Sequence, residues 1–251
     1  MMTGWASYLW FEVRRVLRRP PYLVYTIGFP VGFYLLYTWL LGGQAGPVGS
    51  VPWAAYYMVS MATFGGLGAA INTNGVALAS ERASGWSRQL RTMPLPPWGY
   101  VVAKALTAVV VAGPSLGLVA LAAGLFHHVA LSADTWAVVL ASAWLGTMPF
   151  ALLGVALGYL LTTEAAMAAG LVIYFFLAIV GGMWFPLAIM PAAVRHIAEV
   201  LPSYHYAALG WDALAGRAPR LIHVAVLAAW GVAFLLLAVW RYRRDEAQEY
   251  A

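Results

Sequence analysis

Charged residues divide the chain into long apolar stretches separated by short polar ones. Residues 20–80 contain no Asp, Glu, Lys or Arg, and four further charge-free runs cover 105–133, 135–163, 165–194 and 221–240. A helix of about 20 apolar residues crosses a bilayer core of about 30 Å. Each of the four shorter runs therefore holds one crossing. The first run is longer and is broken by Gly42-Gly43-Gln44-Ala45-Gly46-Pro47 and then by Pro52, punctuation that ends one helix before the next begins. Six spans follow, over 22–41, 53–79, 101–125, 135–161, 166–186 and 221–240. They take up so much of the chain that 1–251 reads as a single all-α membrane domain.

Composition sharpens this reading. The AVILMFWYC set makes up 63% of the 251 residues, while only 9% are charged. A soluble domain carries about 25% charged residues, so a soluble enzyme is excluded. Basic residues mark the cytoplasmic side of membrane proteins. Arg14, Arg15, Arg18 and Arg19 precede the first span. Arg82, Arg88, Arg91 and Lys104 lie between spans two and three, and Arg241, Arg243 and Arg244 follow the last. With both termini cytoplasmic, only Arg195, Arg217 and Arg220 fall outside, in one long segment. The net charge of +5 is thus distributed as topology, and no nucleic-acid motif accompanies it. The first apolar stretch is too long for a cleaved signal, so an uncleaved first span is expected. Thirteen Arg against one Lys suggest a GC-rich bacterial genome, and the expected location is the bacterial plasma (inner) membrane. The chain has no cysteine, which in a bilayer protein says little about compartment.

Two polar segments do not read as simple loops. In 1–20, Trp5, Leu9, Val13, Val16 and Leu17 recur at steps of three and four. That pattern predicts an amphipathic helix lying in the interface with its apolar face in the acyl boundary, or equally a topogenic anchor. In 80–97, a helix from about Ser80 to Arg91 would place Trp86 and Leu90 on one face and Arg88 and Arg91 on another, until Pro94, Pro96 and Pro97 stop it. Pattern alone divides evenly between a solvated loop whose Arg set topology and a rigid lever between two spans.

The stretch Glu81-Arg82, Gly85-Trp86, Gln89-Leu90-Arg91, Met93-Pro94-Leu95-Pro96 and Lys104 resembles the coupling-helix region of ABC-2 type permeases, the membrane subunits of drug, antibiotic and polysaccharide exporters. A second stretch, Gly181-Gly182-Met183-Trp184-Phe185-Pro186-Leu187, Met190-Pro191, Leu201-Pro202 and Leu214-Ala215-Gly216, resembles that family's segment before its last span. The resemblance covers essentially the whole chain. It implies a type V exporter-like fold: an N-terminal interfacial helix, six spans, and a re-entrant helical hairpin over 187–216 that closes the exit from the outer leaflet. It assigns ATPase coupling to Glu81, Arg82, Gly85, Trp86, Leu90 and Arg91. The gate falls to Gly182, Phe185, Pro186, Pro191, Leu201 and Pro202. The physical reading agrees on one point, since three prolines divide the second stretch into pieces too short to span, and broken backbone at membrane depth needs protein or a water-filled cavity around it.

The expected function is outward transport of a hydrophobic or amphiphilic substrate, driven by ATP hydrolysis in a separate subunit. No G-x-x-x-x-G-K-[ST] loop is present, so ATP and Mg belong to two copies of an ABC ATPase partner, and this chain itself binds no cofactor. A homodimer is expected, with a sister permease as the alternative second half; the other partners are membrane lipids, not nucleic acid. No appended carbohydrate-binding domain is expected. No catalytic or metal site is expected either: His127 and His128 read as loop residues, and His196, His205 and His223 are spread along the outer segment. Phe33, Tyr37, Tyr174 and Phe175 would grip a flat substrate or pack against lipid. Asn72 and Asn74 would line the same path or bond a neighbouring helix. The competing class is a proton-coupled secondary multidrug transporter, which usually buries acidic residues within its spans, whereas here they sit at the ends of charge-free runs. An intramembrane hydrolase lacks its G-x-S-x-G turn. Gly113 with Gly117 and Gly154 with Gly158 match the G-x-x-x-G packing motif, which 25 glycines also produce by chance.

Overall fold

A computed structural model describes residues 2–18, 24–85 and 97–249. Helix α1 (Met2–Leu17) precedes a π-helical turn (Val24–Gly28) that runs into α2 (Phe29–Leu41). Then come α3 (Trp53–Ala83), α4 (Pro97–His127), α5 (Ala133–Leu145), α6 (Met148–Leu160) and α7 (Thr163–Val180). A 3-10 turn (Leu187–Ile189), α8 (Ala192–Ala198), α9 (Pro202–Leu214) and α10 (Leu221–Glu249) complete the order. Among the described residues, five stretches are long and apolar enough to cross a membrane: Trp53–Ala83, Val102–His127, Ala133–Leu160, Thr163–Val180 and Leu221–Arg243. The protein is a multi-pass membrane protein. The first expected span is represented by a shorter apolar helix, Thr26–Leu41. Residues 22 and 23 lie outside the described residues.

Helix α3 is the axis of the bundle. Of its most apolar stretch, 94% is buried, and α2, α4, α6, α7 and α9 pack around it. Lipid offers no hydrophobic drive for helices to associate, so close backbone approach decides which ones do. A Cβ added at Gly154 would lie 2.6 Å from the Ile71 carbonyl oxygen, and one at Gly158 would lie 2.7 Å from the Leu78 Cβ. The 154–158 motif is therefore the α3–α6 seam. The 113–117 motif is not a seam, since Gly117 faces open space.

The expected fourth span is two helices. Its break at Gly146-Thr147 precedes Pro149, and the Tyr206 ring of α9 sits against Gly146, where a Cβ would lie 2.5 Å from it. The Tyr206 hydroxyl donates to the Ala143 carbonyl at 2.5 Å, satisfying an acceptor the break leaves without its helical donor.

Two expectations about polar segments change. The helix expected from Ser80 to Arg91 is, in its first part, the end of α3, which stops at Ala83 before Gly85 at φ +73°. A left-handed residue after the last turn terminates a helix, and glycine adopts it without strain. Pro97, expected to stop a helix, opens α4, where its missing amide costs nothing. Helix α1 presents Leu9, Val13, Val16 and Leu17 to α4 around Val111 rather than to acyl chains. Trp10 and Phe11, on the same helix, are exposed.

Substitution separates the two glycine pairs. Gly154→Ala should lower stability by about 1–3 kcal/mol through overpacking, whereas Gly117→Ala should be neutral or raise it by up to about 1 kcal/mol. Thermal unfolding of the purified protein in detergent measures both.

Candidate functional site

Where α1, α3 and α4 meet, five polar side chains form one network. Lys104 lies on α4 and is 1% exposed. Its ammonium donates to Glu12 Oε2 at 2.7 Å and to Glu81 Oε1 at 2.8 Å. Glu12, from α1, is 1% exposed, and Glu81, in the last turn of α3, is 7% exposed. Arg15 Nη2 donates to Glu12 Oε2 at 3.2 Å and also to Glu81 Oε1. The Tyr100 hydroxyl donates to Glu81 Oε2 at 2.5 Å, and the Lys104 ammonium lies 5.5 Å from the Tyr100 ring centre. Two carboxylates face two cations. Formal balance is what allows ionised groups to remain in an apolar bundle.

The next residue bonds the other way. Arg82 Nη1 donates to the Gly158 carbonyl of α6 at 2.9 Å, and its guanidinium lies 5.7 Å from the Tyr159 ring. Tyr159 packs edge-on against Tyr242 of α10 at 5.6 Å. Glu81-Arg82 thus ties the end of α3 to α1 and α4 on one side and to α6 and α10 on the other. Gly85 follows at the turn. Trp86, Leu90 and Arg91, the rest of the expected coupling set, lie outside the described residues.

The aromatic residues converge at the middle of the bundle. Phe33 stacks on Tyr37 at 5.7 Å and meets Trp184 at 5.0 Å. Tyr37 stacks on Tyr57 at 5.4 Å, and Tyr174 stacks on Phe64 at 4.6 Å. Phe175 meets Trp184 at 5.8 Å. Rings from α2, α3 and α7 so pack into one aromatic cluster together with Trp184. Asn72 and Asn74 do not belong to it: Asn72 donates to the Gly68 carbonyl of its own helix, and Asn74 donates to the Ala151 carbonyl of α6 at 3.3 Å.

The chain after α7 turns sharply at Gly182, where φ is +82° and a Cβ would lie 3.0 Å from Leu187 Cγ. Pro186 precedes the 3-10 turn, while Pro191 and Leu201 stand immediately before α8 and α9. Pro202 opens α9 and is buried; Phe185 is exposed. A family model described as an ABC-2 family transporter protein matches residues 47–240, from the turn before α3 through the apolar length of α10. The chain belongs to the ABC-2 transporter family. This family member is also 31% identical over 238 residues to "Putative transport permease YvfS" of Bacillus subtilis (strain 168), covering 94% of this chain and 96% of the relative. ABC-2 membership makes it a transport permease subunit rather than an enzyme.

A second charged cluster sits at the opposite end of the bundle and was not anticipated as a unit. Asp212 of α9, 2% exposed, accepts from Arg217 Nε and Nη2 at 3.0 and 2.7 Å and from Arg220 Nε at 2.9 Å. His223 Nε2 lies 3.3 Å from its second oxygen, and His223 Nδ1 is 2.7 Å from His205 Nδ1. Burial works to raise the Asp212 pKa, but the hydrogen bonds from Arg217 and Arg220 outweigh it and hold the carboxyl below the usual carboxylate range. The signal was present in sequence, because Asp212 is the acid nearest to two of the three arginines that break the charge bias. Glu12 and Lys104 had a comparable signal: the only lysine lies inside an apolar helix and requires a carboxylate.

Two outcomes follow from these clusters. Lys104→Met leaves two buried carboxylates short of a cation and should cost about 3–5 kcal/mol. The double variant Glu12→Gln/Lys104→Met should lose less than the sum of its singles, read by thermal unfolding as a mutant cycle. Because the Asp212 pKa is depressed, its clamp stabilises fully above the ordinary carboxylate range, and that stabilisation is lost as pH falls through the lowered value. The unfolding temperature should therefore drop between about pH 7 and about pH 3 by more in the wild type than in Asp212→Asn.

Proposed function

We propose that this chain is the membrane subunit of an ATP-driven exporter, two copies of which work with two copies of a separate ATP-binding subunit. The observation that carries this reading is the paired bonding of Glu81 and Arg82 immediately before segment 86–96. A push on that segment by a soluble partner reaches four helices at once, α1 and α4 through Glu81 and α6 and α10 through Arg82. The cytoplasmic placement of this end and of both termini is supported by the concentration of arginine there. The aromatic cluster of α2, α3 and α7 supports a hydrophobic or amphiphilic substrate, with Phe33, Tyr37, Tyr174 and Phe175 as the rings that would meet it. The short helices α8 and α9, entered through Pro186, Pro191 and Pro202, act as a re-entrant outer gate. A drug, an antibiotic or a lipid-like molecule would suit these rings.

Reconstitution with an ABC ATPase from the same organism tests the proposal. ATP hydrolysis by the pair should change severalfold relative to the ATPase alone, and Gly85→Val, which forces a branched side chain into a left-handed turn at a cost of about 1–2 kcal/mol, should uncouple the two. Transport should survive collapse of the proton gradient and stop on ATP depletion. The reverse pattern would identify a proton-coupled carrier, and an ATPase indifferent to this chain would end the exporter reading.

A further inference from the structure

Beside the Asp212 clamp lies a cavity of about 230 Å³. The turn Val48–Val51 forms one wall, Tyr56 and Trp211 form another, and Tyr204, Arg217 and Arg220 line the rest. Tyr56 and Trp211 stack at 4.8 Å with their planes within 10°, so that wall is rigid and flat. One buried carboxylate holds two guanidinium groups, leaving an excess of one positive charge. Arg217 and Arg220 side chains are 60% and 55% exposed, whereas that of Asp212 is 3% exposed. A guanidinium carries five N–H donors. Arg217 gives two of its groups to Asp212, and Arg220 gives its Nε to Asp212 and bonds Tyr204 as well, so both retain donors for another acceptor. Asp212 thus orients two cations toward a cavity without neutralising both.

The surroundings specify the acceptor further. Leu221 and Ile222, directly after Arg220, are 85% and 55% exposed and begin the apolar length of α10. Val200 and Ile197, at the end of α8, are 64% and 50% exposed. Cations and aromatic rings at the end of a spanning helix, with bare aliphatic surface running away from them, match an anionic headgroup above acyl chains. We propose that this cavity binds a phosphate group, that of an anionic phospholipid whose chains lie along α10. Arg217 and Arg220 contact the phosphate oxygens, and the Tyr56–Trp211 stack holds the glycerol side. The bidentate geometry of guanidinium suits phosphate oxygens better than a point charge would. The site stands apart from the coupling reading, because binding to it requires no ATPase.

The experiment titrates the full-length purified chain with short-chain phosphatidylglycerol, short-chain phosphatidylcholine or inorganic phosphate and follows thermal unfolding. Phosphatidylglycerol should stabilise the wild type with at least a tenfold lower apparent Kd than phosphatidylcholine, whose choline cation opposes the arginines. Arg217→Gln and Arg220→Gln should abolish that preference. Ser50→Glu, on the exposed turn at the cavity rim, places a carboxylate beside the site without touching the clamp, and should abolish the preference with the fold intact even where the arginine variants do not fold. Equal response to the two lipids would overturn the proposal, as would a phosphatidylglycerol preference that survives Ser50→Glu. Protection by inorganic phosphate with no lipid preference would overturn the lipid assignment and leave a soluble anion as the occupant.

Discussion

An ammonium group held between two carboxylates inside a helix bundle determines how this end of the molecule is built. Removing an ionised group from water costs several kcal/mol even after relaxation, and the cost is recovered only when geometry and hydrogen bonding are both good. Lys104 meets that demand with two short bonds, to Glu12 at 2.7 Å and Glu81 at 2.8 Å, from helices that are far apart in sequence. None of the three helices can shift along its axis without stretching one of them. The position of α1 against α4, the end of α3 and the start of α4 are thereby set together. Tyr100 and Arg15 occupy further oxygen sites of Glu81, so the carboxylate that joins these helices is held from three directions.

The order of the apolar helices could be read from gaps between charges, because the bilayer imposes a length on each apolar run and Gly/Pro clusters end it. Their number could not, since among the described residues five of the six expected spans are long and apolar enough to cross, and the first is a shorter helix. Where one helix touches another could not be read either. Gly113 with Gly117 and Gly154 with Gly158 are the same motif, yet only the second meets a neighbouring backbone, and that difference arises from the packing of α3 against α6. The break in the fourth apolar run was likewise hidden. Gly146 and Pro149 allow it, but the ring that fills it, Tyr206, arrives from α9.

The two charged clusters show a similar limit. Glu81 and Arg82 were visible as neighbours of a family-like segment, but their partners Glu12, Lys104 and Gly158 are brought together only by tertiary contact. Leu9, Val13, Val16 and Leu17 formed a face that reads equally as lipid-facing or protein-facing, since periodicity reports amphipathicity and not the identity of the apolar neighbour. Asn72 and Asn74, two residues apart, point to different acceptors because consecutive even positions on a helix diverge around its axis. In the aromatic cluster, by contrast, spacing carried the information: Phe33 and Tyr37 are one turn apart and stack as such.

Adjacent residues on an α-helix project about 100° apart. Glu81 and Arg82 use that angle to anchor α3 on two sides, toward α1 and α4 and toward α6. Twisting α3 about its own axis would therefore strain both anchors, and this end of the helix resists rotation. Any movement of this end of α3 would have to carry the bonded turns of α1, α4 and α6 with it or break these bonds.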